Sequence, residues 1–99
     1  MILITGTVVA PEENRAELIA AASRHVMLSR TEPGCISHGF HEDVMARGTF
    51  VFVERWRDMA AVQEHFAKDY SREMVAMLRK LSTSSTGVEI HDIVSTRVV

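Results

Sequence analysis

The sequence predicts an α+β fold of element order β-α-β-β-α-β, and three observations carry that expectation. Runs rich in β-branched and aromatic residues occur at Ile2–Val9, Cys35–Glu42, Thr49–Trp56 and 88–98. Two stretches with apolar residues spaced by three and four lie between the first and second runs and between the third and fourth. Only a short segment, 43–48, bounded by Asp43 and Gly48 and read as a turn, separates the two middle runs, as in a hairpin.

Each element has a local reason. Ile2–Val9 is dominated by β-branched residues, and Pro11 ends it. Pro11 with Glu12, Glu13 and Asn14 then opens a helix, because the first amides of a helix lack partners and carry partial positive charge. That helix is expected to reach about Leu28, with Leu18, Ile19, Ala22 and Val26 as its apolar stripe. Thr31-Glu32-Pro33-Gly34 breaks it, since Pro33 lacks a donor and Gly34 permits a sharp turn. Asp58 reads as the N-cap of a second helical stretch, which resumes or continues over 71–81. Phe66, Tyr70, Met74, Met77, Leu78 and Leu81 make its stripe. The polar segment 82–87 reads as a loop, and the last strand should be irregular near Asp92, where apolar parity shifts from Ile90 to Ile93. This order is the ferredoxin-like plan: right-handed crossovers place both helices on one face of a four-stranded antiparallel sheet.

Length and composition narrow the function. The 99 residues suit one domain, 1–99. A net charge of −2 provides neither the basic footprint of a nucleic-acid binder nor a polybasic membrane patch. The single Cys35 excludes an intrachain disulfide and a cysteine-based zinc cluster. No apolar run reaches membrane-spanning length and the N-terminus lacks the pattern of a secretion signal, so a cytoplasmic location is expected.

A partner copy is expected from the sheet. Phe50, Phe52 and Trp56 alternate with Val51 and Val53, and Ile2, Ile4 and Val8 alternate with Leu3 and Val9. A sheet apolar on both faces needs cover on both, and two helices cover one. Two such sheets packed face to face would form a dimeric α+β barrel.

Phosphate loops, nucleotide-binding glycine patterns and nucleophile elbows are absent. Attention therefore falls on the histidines. His38 and His41 are an odd number of residues apart on one strand, which sends them to opposite faces. His25 and His91 lie in other elements without a ligand pattern, so no metal site is expected. His65 is either a proton-transfer group, with Asp69 four residues on to orient its imidazole, or a solvated helix residue. Glu54 and Trp56 share a face. Trp56 is either core or the flat wall of an aromatic pocket, and Glu54 is either buried and paired or near the sheet edge. Arg55 points the other way, toward a dimer interface. The Tyr70, Met74 and Met77 stripe reads as core or as an adaptable pocket wall with a phenol at its mouth. Lys68, Arg72 and Arg79 are the cations that a phosphorylated ligand would need, or else a solvated helix face.

The ordered set Glu32-Pro33-Gly34-Cys35, Thr49-Phe-Val-Phe-Val-Glu54-Arg55-Trp56 and His65 resembles the antibiotic biosynthesis monooxygenase domain family. The motifs cover the middle third of the chain, and the element order extends the likeness to nearly all of it. The resemblance implies a dimeric barrel and a monooxygenase that converts a small phenol or hydroquinone to a quinone with O₂, without flavin, haem or metal. It also implies the partners: a second copy, a small aromatic substrate and O₂. By position it makes His65 the proton acceptor or polar anchor, Trp56 the residue that orients the ring and Tyr70 a hydrogen-bond donor. Phe52, Glu54, Met74 and Met77 become the substrate-binding wall. Tyr70 stands where many relatives carry a second histidine, and the first strand offers Thr5 and Thr7 where the haem-degrading branch has Asn. An isomerase of a small carbonyl metabolite and a non-catalytic binding or stress-response dimer are the alternatives on this scaffold.

Overall fold

Burial alternates along the first strand, β1 (Ile2–Val9), and along β3 (Thr49–Trp56), so each presents one row of side chains to the interior. The computed structural model describes residues 1–99. The other elements are α1 (Glu12–Ser29), β2 (Cys35–Glu42), α2 (Met59–Ala67), α3 (Asp69–Leu81) and β4 (Ser84–Asp92). The sheet order is β2-β3-β1-β4 with every pair antiparallel, the expected ferredoxin-like topology.

Register lines up the interior row. Ile2 faces Trp56, Ile4 faces Glu54 and Val8 faces Phe50 across the β1–β3 pair. His38 faces Glu54 and Phe40 faces Phe52 across β2–β3. Two apolar clusters result. One gathers Val8, Leu18, Ala22, Phe50, Met74 and Leu81; the other gathers Ile2, Ile4, Trp56, Ala61 and Val62. Along β3, Glu54 lies between them, and it is buried.

The helices follow their local chemistry. Pro11 is the N-cap of α1, with Glu12 and Glu13 in the first turn. Leu18, Ala22 and Val26 are buried on its inner stripe, and so are His25 and Ser29. Asp58 caps α2 by accepting from the Ala61 amide at 2.9 Å. The chain then leaves the helix at Lys68, whose backbone is extended (φ −66°, ψ 143°), and α3 begins as a separate helix.

Two expectations are corrected. The last strand spans Ser84–Asp92 instead of 88–98, and it takes in most of the polar segment read as a loop. The free edge of β1 supplies backbone partners there, and ladder pairing overrides the weak strand propensity of Ser and Thr. The irregularity falls opposite Gly6–Val8, not at Asp92. There the Thr7 amide donates to Thr86 Oγ1 at 3.0 Å, and Gly87 adopts a φ of +72°. In β2 the register shifts between Cys35 and Ser37, so Ile36 bulges outward and is exposed.

Candidate functional site

The site grows from the buried polar row between the two apolar clusters. His25 comes from α1, His38 from β2, Glu54 from β3 and His65 from α2, and all four are buried. The ring centroids of the three histidines are 5.1 to 5.9 Å apart. One potential ligand atom from each lies within 4.8 Å of those of the other two. His38 and His41 do point to opposite faces, since His38 is buried and His41 is exposed. The expectation that His25 belongs to no histidine group is corrected: helix α1 delivers it beside two histidines remote in sequence. No local spacing encodes that meeting.

Glu32 anchors the arrangement. Its Oε2 lies 2.6 Å from His65 Nδ1 and also accepts a hydrogen bond from the Tyr70 hydroxyl. A carboxylate that accepts places the His65 proton on Nδ1 and leaves Nε2 as the acceptor. Asp69 does not hold His65. The helix break at Lys68 destroys the four-residue spacing, and the Asp69 side chain is exposed and lies 3.7 Å from Arg72. Glu32 stands in a turn, where no periodicity of the sequence points to its spatial partners.

Glu54 is the second carboxylate. Trp56 Nε1 donates to its Oε1 at 3.0 Å, while His38 Nε2 and His65 Nε2 lie 3.3 and 3.8 Å from the same atom. The His38 contact is not aligned as a hydrogen bond, so neither His38 nitrogen has a well-formed hydrogen-bond partner. His25 Nδ1 is unpartnered as well. Each stranded buried polar atom costs about 1–3 kcal/mol.

Electrostatics separates these groups. Burial pushes the Glu54 pKa up, but the adjoining His38, the Trp56 donor and the nearby His65 ring outweigh it and hold the carboxyl below its ordinary range. Burial, then the proximity of His38 and His65, pulls the His25 pKa down to about 4, so this imidazole is neutral at pH 7. Burial and the Glu32 hydrogen bond push the Tyr70 pKa up, keeping it a phenol.

Beside this row opens a hollow of about 390 Å³, lined by His25, Phe52, Glu54, His65, Met74 and Val88 among others. Arg72 and Arg79 also border it, and Lys68 does not. Trp56 is not part of the lining. It is fully buried and packs against His65 with ring centroids 4.4 Å apart. Tyr70 and Met77 line a neighbouring hollow that shares His25 and Met74 with the first.

The model of the family described as antibiotic biosynthesis monooxygenase matches residues 1–77. The chain belongs to this family. Among its relatives, the uncharacterized protein sll1783 of Synechocystis is 33% identical over 98 residues, covering 99% of this chain and 67% of its own. YcnE of Bacillus subtilis, whose name proposes a monooxygenase, is 30% identical over 88 residues and covers 89% of this chain and 93% of its own. A Deinococcus radiodurans structure superposes with a TM-score of 0.94 at 23% identity, covering all of this chain and 98% of its own; that likeness concerns the fold. For an antibiotic biosynthesis monooxygenase family member, Glu32, Glu54, Trp56 and His65 are thus both motif residues and neighbours in space. No helix is long and apolar enough to cross a membrane.

Proposed function

We propose that this protein is a cofactor-independent monooxygenase that oxidises a small phenol or hydroquinone to a quinone with O₂. The supporting observation is a buried imidazole, fixed through Nδ1 by Glu32, on the wall of an apolar hollow of about 390 Å³. That volume lies in the range of small-molecule sites. The phenol ring packs against Phe52 and Met74, and His65 Nε2 takes the hydroxyl proton. Excluding water leaves the phenolate electron-rich and poorly solvated, so it reduces O₂ directly. One oxygen atom joins the ring and the other leaves as water. The two electrons that water formation requires come from the substrate, so phenol plus O₂ balances quinone plus water. Trp56 sets the position of both His65 and Glu54 from behind, and Tyr70 steadies Glu32.

The working unit in this reading is a homodimer. Val88 and Ile90 of β4 pair with Gly6 and Ile4 yet are 58% and 42% exposed, because the helices stop short of that edge. Leu3, Val9, Val51 and Val53 are only half-buried on the opposite face. A second copy packed on that opposite face would bury Leu3, Val9, Val51 and Val53.

The test is O₂ uptake and quinone absorbance with chelator-stripped protein and a panel of hydroquinones and naphthols. One O₂ consumed per quinone is expected, with His65→Ala slower by about 10²-fold or more. No uptake across the panel by protein that remains folded would overturn the reading and favour a binding module or an isomerase.

A further inference from the structure

Three buried imidazoles and a buried carboxylate converge where the oxygenase reading uses only one imidazole. His38 has no role in that chemistry, does not line the hollow, and has two unpartnered nitrogens at 2% exposure. His25 Nδ1 is equally unpartnered on a residue 8% exposed. Apolar packing does not explain buried imidazole nitrogens gathered in one place without a well-formed hydrogen bond. We propose that His25, His38, His65 and Glu54 form a binding site for a divalent first-row transition-metal ion.

The geometry suits such an ion. Because the three ligand atoms lie within 4.8 Å of one another, a common point exists no farther than about 2.8 Å from each. Imidazole–zinc bonds are about 2.0–2.1 Å, so each ring need advance by only about 0.7 Å, a small side-chain rotation. Glu54 Oε1, 3.3 and 3.8 Å from the Nε2 atoms of His38 and His65, supplies the fourth ligand direction. Imidazole-rich sets favour zinc, copper, iron and nickel over magnesium or calcium.

The surroundings are also those of a metal site. Glu32 on His65 Nδ1 fixes the tautomer that leaves Nε2 free to ligate, and the Trp56 indole fixes Glu54. An ion on Nε2 occupies the proton acceptor of the oxygenase reading, so the metal-loaded protein is expected to be blocked in that chemistry and the chelator-stripped protein competent. Two carboxylates, Glu32 and Glu54, balance a divalent charge. The ligands come from α1, β2, α2 and β3, so the frame is built of regular elements and not of loops. His25, Glu54 and His65 border the hollow, so an ion enters from that side and keeps any open coordination position facing it.

The test needs no substrate, so its outcome is separable from that of the oxygenase assay. Chelator-treated full-length protein is titrated with Co²⁺ and then with Zn²⁺, following the visible Co²⁺ spectrum and the melting temperature. The expected result is one ion per chain, displacement of Co²⁺ by Zn²⁺, and a raised melting temperature. His38→Leu should weaken binding at least 100-fold, while His41→Ala and His91→Ala, on exposed residues, should leave it unchanged. X-ray absorption at the zinc edge of the unmodified protein should report three imidazoles and an oxygen donor, a readout that does not depend on any variant folding. Fewer than two imidazoles at the zinc, binding lost in His41→Ala or His91→Ala, or no stoichiometric binding would overturn the proposal.

Discussion

Replacing Glu32 tests how much the site depends on one carboxylate. The Glu32 side chain is 9% exposed, and a single oxygen serves both His65 Nδ1 and the Tyr70 hydroxyl. Glu32→Leu strands both donors, and at about 1–3 kcal/mol for each unsatisfied buried group the expected loss is about 2–4 kcal/mol after partial relaxation. Glu32→Gln keeps an acceptor oxygen and loses only the charge assistance, so about 1–2 kcal/mol is expected. Urea unfolding of chelator-treated protein measures both, followed by the fluorescence of Trp56, the only tryptophan, which packs on His65. A cycle with Tyr70→Phe isolates the phenol–carboxylate pair, and a coupling of about 1 kcal/mol or more is expected for partners in direct contact. The reasoning is refuted if Glu32→Leu changes stability by less than about 0.5 kcal/mol, or if its effect simply adds to that of Tyr70→Phe.

Two further predictions concern the hairpin between β2 and β3. The Arg15 guanidinium and the Gly48 amide hold the Glu42 pKa down at about 2 against an ordinary 4.5, so its stabilisation is complete above pH 4.5 and disappears as pH falls toward 2. The stability gap between the unmodified protein and Glu42→Gln should therefore be constant at neutral pH, shrink through that window, and narrow in high salt. Gly48→Ala should destabilise by about 1–3 kcal/mol, because φ is +87° and the added methyl meets the Ala10 carbonyl oxygen at 2.6 Å. Gly87→Ala, with a φ of +72° but no atom within 4 Å, should cost only about 1 kcal/mol, and urea midpoints of the two variants decide the order.

The fold was legible because its signals are local. Alternation at Phe50, Phe52 and Trp56 identified the buried row of β3 without any knowledge of its partners, and Asp58 announced the start of α2. Where neighbours decide, local signals failed. Ser84 and Ser85 read as loop residues, but the edge of β1 draws them into a strand. Ile36 sits on the interior row by simple alternation, yet the bulge in β2 turns it outward and lets Cys35 face Trp56. The same limits apply to the site. His65 stood out by its place after the Trp56 strand, whereas its partner, Glu32, lies 33 residues earlier, in the turn between α1 and β2.

The Glu32-Pro33-Gly34 motif acquires a physical meaning from that partnership. Pro33 and Gly34 end the run out of α1 and bring the chain under α2, where the Arg57 amide donates to the Gly34 carbonyl at 2.9 Å. A β-carbon on Gly34 would collide with that of Ala61, so only glycine lets α2 settle this closely on the turn. Ala61 is buried on the same helix that carries His65 one turn on, so the close approach at Gly34 helps set how near His65 comes to Glu32. The carboxylate and the residue that admits the helix thus stand two positions apart in the chain. A side chain at Gly34 would disturb the Glu32–His65 contact without removing either group, which ties the turn to the chemistry as well as to the fold.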